Sequence, residues 1–169
     1  MSLAEEVFEA ARTAGLTLCC AESCTAGMVG AALTDMPGSS EVFRGGVIVY
    51  CNEMKHKLLG VPQPVLDGPG PVSRECALAL AEGARQLLEA DAAVSVTGLA
   101  GPDGGTDEVP VGTVWFGVAL RGESVRSTAF VRHFSGSRGE VRRQAVDSAL
   151  EGLLRAIRDG VKQQIPSVK

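Results

Sequence analysis

The 169-residue chain lacks most of the signatures that would assign it a function at sight. It has two histidines, His56 and His133, far apart and without ligand spacing, and no Cys-x-x-Cys among its five cysteines. A structural zinc site is therefore not expected, nor any other bound metal or cofactor. No apolar run approaches the roughly 18 residues of a membrane helix. Met1 to Ala10 carries acids and no apolar centre, so it does not read as a secretory leader. Cytoplasm with reduced thiols is the expected compartment, and no membrane partner is expected. A net charge of -4 argues against a nucleic-acid partner, which would call for a basic face. No long polar tract is present and 45% of residues are hydrophobic, which excludes disorder and leaves one domain able to close a core. That domain is expected to span 1–169, with its core about 4–158 and a frayed tail from Gly160.

What the chain does have is punctuation. Ser2, with Glu5 in the capping-box position, opens a helix to Ala14, stopped by Gly15. Thr17–Ala21 reads as a short buried strand, and Thr25 to about Leu33 as a Gly/Ala-rich helix. Residues 35–40 form a loop around Pro37-Gly38. Val42–Tyr50 is a strand with a bulge at Arg44-Gly45-Gly46. Asn52 caps a short helix through Leu59, and the prolines of 60–71 mark a loop. Ser73 opens a helix with Leu78, Ala81, Ala84, Leu87 and Leu88 as its stripe. Ala92–Thr97 is a strand buried on both faces. Gly98–Val111 is a glycine-rich loop. Thr113–Leu120 and Val125–Phe134 pair as a hairpin about Arg121-Gly122-Glu123. Ser137 to about Asp159 is the last helix. This order predicts an α/β fold, a three-layer α/β/α sandwich on a mixed sheet, with chemistry beyond the carboxyl ends of the strands.

Ser23, Tyr50 and Thr97-Gly98 all fall at such ends. Ser23 follows the apolar run at a strand-to-helix turn, where free N–H groups at the start of the next helix would stabilise an oxyanion. A serine hydroxyl needs a base. Lys55, in the first turn of a helix capped by Asn52, is a cation at the wrong end of a dipole. Either its pKa is lowered so that it accepts a proton, or the cap is misplaced and the lysine is solvated. Tyr50, the single tyrosine, either relays a proton and holds the lysine amine or marks a core edge. Ser39 and Ser40 either reach the site or cap local backbone. Glu22 either orients a neighbour or pairs with a distant arginine. The Gly98–Gly105 loop could wrap a phosphate. Arg138, Arg142 and Arg143 open the last helix, another unusual place for cations unless an anion sits nearby.

Six blocks occur in order: Ala21-Glu22-Ser23-Cys24-Thr25-Ala26-Gly27, Pro37-Gly38-Ser39-Ser40, the run 45–55 ending Tyr50-Cys51-Asn52-Glu53-Met54-Lys55, the run 96–105 around Thr97-Gly98, Pro110-Val111-Gly112-Thr113-Val114, and 134–142. Together they resemble the C-terminal domain family of the competence/damage-inducible protein CinA, from about Ala4 to Arg158. The resemblance implies hydrolysis of nicotinamide mononucleotide to nicotinic acid mononucleotide and ammonia, without metal. It also implies an α/β sandwich that forms a homodimer. By the same resemblance Ser23 is the nucleophile, Lys55 its base and Tyr50 an assistant. Thr25, Ser39, Ser40, Thr97, Gly98, Gly101 and Arg138 or Arg142 are then expected to bind the pyridine mononucleotide. Two positions depart from the family pattern. Ala26 stands where a glycine is common, its methyl narrowing the approach to the helix, and Val109 stands where a lysine is common. These departures motivate an alternative, a nucleotide-binding module of weak or no turnover. A hydrolase using Cys24 or Cys20 is a third reading, without a histidine in any block to activate the thiol.

Overall fold

The computed structural model describes residues 1–122 and 126–164, with the side chains of 161–164 left aside. Five strands of the described residues form one mixed sheet: β1 (Leu18–Glu22), β2 (Phe43–Ile48), β3 (Ala92–Gly98), β4 (Thr113–Leu120) and β5 (Arg126–His133). Their order is β2-β1-β3-β4-β5. β1 runs parallel to β2 and to β3, while β4 is antiparallel to both β3 and β5. Among the described residues six helices cover the sheet: α1 (Leu3–Ala14), α2 (Met28–Thr34), α3 (Asn52–Leu59), α4 (Gln63–Asp67), α5 (Arg74–Leu87) and α6 (Arg138–Gln164). The predicted three-layer sandwich is the architecture observed.

Pleat parity sorts the core. Leu18 and Cys20 of β1, with Val94 and Val96 of β3, face α1, α2 and α6. Cys19, Ala21 and Ala93 face the opposite layer of α3, α4 and α5. Both faces of β1 and β3 are therefore apolar, the reason these strands read as continuous apolar runs rather than alternating ones. Each fully buried Val or Leu contributes roughly 1.5–3 kcal/mol of transfer free energy. Close approach of α5 to the sheet relies on Gly117 in β4, where a Cβ would fall 2.2 Å from Ala77 O. Ser95 Oγ donates to the same carbonyl at 2.6 Å and accepts from Gly117 N–H, so no polar group is stranded there.

The expected capping box of α1 is present, with Ser2 and Glu5 bonded reciprocally and Gly15 closing the helix at φ +65°. Ser73 caps α5 through Cys76 N–H, as its sequence implied. A bulge occurs at Arg44, which the β1–β2 register skips. Other boundaries differ. Thr17 lies outside β1, because its amide and hydroxyl both donate to Asp91 and tie the starts of β1 and β3 together. The helix expected from Thr25 begins only at Met28, after a turn with Ala26 and Gly27 at positive φ. Asn52 is the first residue of α3 rather than its cap, so Lys55 stands one place deeper than expected. The proline-rich stretch 60–71 contains a short helix, α4, with Pro64 near its start where no N–H is needed. The last helix extends past Asp159 to Gln164. Glu123 and Val125 of the expected hairpin, and the tail 165–169, lie outside the described residues.

The chain reverses direction across the sheet around β1: α2 leads from β1 to β2 on one side, and α3 to α5 lead from β2 back past β1 to β3 on the other. The carboxyl end of β1 is thus the switch point of the parallel part of the sheet, where open α/β sheets form their crevice. Ser23 is the next residue.

Candidate active site

The backbone around Ser23 is a tight turn held from several sides. Ser23 N–H donates to Val96 O of β3, and Ser23 O accepts from Ala26 N–H at 3.1 Å, closing a turn with Cys24 and Thr25 at its centre. The start of α2 is not free, as the sequence reading supposed. Glu22, 1% exposed, turns its carboxylate onto it. Oε2 accepts from Gly27 and Val29 N–H, at 3.0 and 3.1 Å, and Oε1 accepts from Gly30 N–H at 2.9 Å. A carboxylate facing three amide donors and the positive end of a helix is a strong anchor. It also occupies the donors that an oxyanion or a phosphate would have used. Among the described residues, the Thr25 N–H of the turn has no acceptor, and the buried Thr25 hydroxyl has no partner.

Lys55 crosses from α3 to this turn. Its Nζ lies 3.2 Å from Ser23 Oγ and 3.0 Å from Tyr50 O. The residue is 2% exposed and, among the described residues, no carboxylate pairs with it. Burial disfavours the ammonium and lowers the Lys55 pKa from its ordinary value. An amine short of protons, in contact with a buried hydroxyl, can receive the hydroxyl proton. The nearby thiols are poorly suited to compete. Burial pushes Cys24 up to about 11 and Cys76 also to about 11, and it pushes Cys20 higher still. Their thiolate fraction near neutral pH is small, which weighs against the cysteine reading.

The other expected residues are placed unevenly. Tyr50 is 61% exposed at the mouth of the crevice. Its main-chain carbonyl, not its phenol, holds the lysine amine; the phenol oxygen accepts from Arg138 at 3.1 Å. Arg138 also donates to Gly101 O at 2.7 Å, linking the glycine-rich loop to Tyr50 across the rim. Thr97 is the next-to-last residue of β3, but its hydroxyl donates to Pro71 O. Gly98 and Gly101 are pressed against their own hairpin, where an added Cβ would meet Thr113 O at 2.7 Å and Val111 Cγ1 at 2.5 Å. Arg142 reaches the Ser23 turn and donates to Cys24 O and Thr25 O.

Ser39 and Ser40 are a correction. They form a 3-10 turn just before β2, and β2 runs parallel to β1 with Phe43 opposite Leu18. Both serines therefore stand at the amino end of the sheet. At about 3.3 Å per residue the length of β2 alone sets them roughly 16 Å or more from the Ser23 end. Within one chain they do not meet Ser23. The roles of Glu22 and Arg142 in the turn were not legible beforehand, since both depend on which backbone groups the turn exposes. Among the described residues, no three His, Cys, Asp or Glu side chains are placed to hold a metal ion, and no helix is long and apolar enough to cross a membrane.

Known proteins are similar to this chain in sequence and overall fold. Residues 1–157 match the family described as CinA C-terminal domain. A protein of Escherichia coli strain K12 named nicotinamide-nucleotide amidohydrolase PncC is 46% identical over 154 residues, covering 90% of this chain and 92% of that protein. A putative competence-damage inducible protein of Halothermothrix orenii is 45% identical over 95% of this chain, which spans only 38% of that longer relative. The crystal structure of the competence/damage inducible protein CihA from Agrobacterium tumefaciens superposes with a TM-score of 0.85 at 40% identity, covering 92% of this chain and 93% of that one. The chain belongs to the CinA C-terminal domain family.

Proposed function

We propose that the protein is a nicotinamide mononucleotide amidohydrolase that uses Ser23 and Lys55 as a dyad. The observation that carries the reading is the 3.2 Å contact between a buried amine with a lowered pKa and the Ser23 hydroxyl at the switch point of the sheet. The PncC relative, matched along nearly its whole length, supports the choice of substrate.

In this mechanism Lys55 Nζ takes the Ser23 proton as Oγ attacks the carboxamide carbon. The carbonyl π pair moves to oxygen, and the tetrahedral oxyanion is met by the unpaired Thr25 N–H rather than by the start of α2. One such donor is typically worth about 2.7–4 kcal/mol. As the oxyanion collapses, the C–N bond breaks and the Lys55 proton passes to the leaving nitrogen, releasing ammonia. Water then gives a proton to Lys55 and attacks the acyl-enzyme; the Oγ–C bond breaks as Lys55 returns that proton to Ser23 Oγ, yielding the acid and free Ser23. The Tyr50 carbonyl keeps Nζ aimed at Oγ throughout. Arg138, the exposed cation between Tyr50 and Gly101, takes the ligand phosphate at the rim. A cytoplasmic homodimer is the expected setting on the family resemblance, and light scattering of the purified protein tests the dimer.

The deciding experiment follows ammonia and deamidated product from nicotinamide mononucleotide without added metal. Ser23→Ala and Lys55→Ala are each expected to reduce turnover by at least 10³-fold with an unchanged fold. Wild-type-like turnover in either variant removes the dyad. Calorimetric binding with no product over hours favours the alternative of a binding module.

A further inference from the structure

Arg142 lies one helical turn beyond Arg138 on α6, yet its guanidinium is turned inward, onto the main chain of the nucleophile turn. Nε donates to Cys24 O at 2.9 Å and one Nη donates to Thr25 O at 3.2 Å, across more than a hundred residues of sequence. The turn that contains these carbonyls is closed by Ala26 N–H on Ser23 O. Its central peptide joins Cys24 to Thr25 and takes no part in that closing bond. Nothing else among the described residues bonds that peptide: Arg142 holds its oxygen, and its N–H is unpaired.

We infer that Arg142 is the positioning residue of the oxyanion site, fixing and polarising the Cys24–Thr25 peptide so that the Thr25 N–H meets the developing charge. The inference rests on the amidohydrolase reading of Ser23. Three physical steps lead to it. A trans peptide holds C=O and N–H antiparallel, so an arginine bound to the Cys24 oxygen directs the Thr25 N–H to the opposite side. A cationic donor on a carbonyl draws electron density along the peptide and strengthens the N–H as a donor, the cooperativity of linked hydrogen bonds. Finally, Glu22 holds the Gly27, Val29 and Gly30 N–H groups at the start of α2, which leaves the turn itself to supply the donor. A guanidinium spreads its donors over a rigid fork, and here the fork spans two successive carbonyls, a task a single ammonium does poorly. Arg142 is thereby committed to the protein's own backbone, and the rim cation left for a phosphate is Arg138.

The test uses the full chain carrying Arg142→Lys, Arg142→Gln or Arg142→Ala, with the urea midpoint of each measured to confirm folding. On nicotinamide mononucleotide, kcat should fall about 10²-fold while KM stays within about threefold, the pattern of an interaction realised only in the transition state. A fluorophosphonate probe reports on the same oxygen site without the nucleotide. Its rate of covalent attachment to Ser23, followed by intact mass, should fall in parallel. Methylguanidinium should restore at least tenfold of that rate in Arg142→Ala and nothing in Ser23→Ala, which loss of a merely structural contact would not produce. A KM raised tenfold or more with kcat preserved would make Arg142 a phosphate ligand and overturn the inference. So would unchanged fluorophosphonate labelling in folded Arg142→Lys and Arg142→Gln. If the wild-type protein fails to deamidate nicotinamide mononucleotide, yet labels at Ser23 in an Arg142-dependent way, the positioning role stands and the substrate reading falls.

Discussion

Replacing Glu22 with glutamine is the most direct probe of how the Ser23 turn is held. The change keeps shape and volume and removes one charge. At present the carboxylate accepts from three amides, two on Oε2 and one on Oε1, and the Cys20 thiol also faces Oε1 at 3.4 Å. A glutamine can keep its oxygen on the Gly27 and Val29 side only by turning its NH2 toward the Gly30 N–H, donor against donor. One hydrogen bond to a charged group, about 1.5–3 kcal/mol, is lost outright. The two that remain fall from charge-assisted to neutral strength, and the favourable end of the α2 dipole loses its anion. Against this stands the relief of no longer burying a charge in a side chain that is 1% exposed. The balance is a destabilisation of roughly 2–4 kcal/mol. With a urea m-value of about 2 kcal/mol/M, the unfolding midpoint should drop by about 1–2 M. Ammonia release by the folded fraction should fall as well, because the turn that carries Ser23 leans on the same carboxylate. A midpoint within about 0.3 M of wild type would show that the carboxylate does not anchor α2, and the account of which N–H groups remain for the oxyanion would go with it.

Three further outcomes follow from the same geometry. Because Lys55 is held below its ordinary pKa by burial, the unfolded chain carries a proton there that the folded chain lacks between the lowered value and 10.5. Stability therefore rises with pH across that window, and kcat/KM rises with pH as the folded amine deprotonates; Lys55→Met should be inactive but more stable at pH 7, with its advantage shrinking as pH approaches 10.5. An advantage independent of pH in urea titrations would contradict this. Ala26 adopts φ +48°, so Ala26→Gly should gain up to about 1 kcal/mol, read as a higher urea midpoint. Gly83→Ala should lose roughly 1–3 kcal/mol in the same assay, since its Cβ would stand 2.0 Å from Leu59 O at the end of the helix that carries Lys55.

Much of the architecture was legible because its signals are local. The Ser2–Glu5 box, the Ser73 cap and the unbroken apolar run of β3 each depend on neighbours within a few residues, and the structure keeps all three. Where the reading failed, a distant group had intervened. Thr17 left the strand for Asp91, 74 residues away, and α2 started late because Glu22 claimed its first amides. The Ser39-Ser40 pair shows another limit. A linear motif does not state at which end of a parallel strand it will lie, and here the strand direction carries the pair away from Ser23. Arg138 and Arg142 looked alike as cations opening a helix. One bridges two loops at the rim and the other grips a turn, a difference that exists only once α6 is laid against β1.

The placement of Glu22 bears on why Lys55 has no carboxylate partner among the described residues. A buried carboxylate one residue before Ser23 would normally be the natural partner of a buried lysine, and an ion pair would fix the amine in its charged form. Strand parity prevents this. Glu22 points with Leu18 and Cys20 toward the α1, α2 and α6 layer, where a Cβ built on Gly30 would be 3.6 Å from its Oε1 and 3.7 Å from Cys20 Sγ. Lys55 belongs to α3, which packs with α5 on the other face, beside Leu59, Val61 and Cys76. The sheet stands between anion and amine. Ser23, the residue after β1, keeps the alternation of Cys19 and Ala21 and meets Lys55 on that face, with Nζ 3.2 Å from Oγ. The two faces of the sheet thereby separate the carboxylate that anchors the turn from the amine that contacts Ser23.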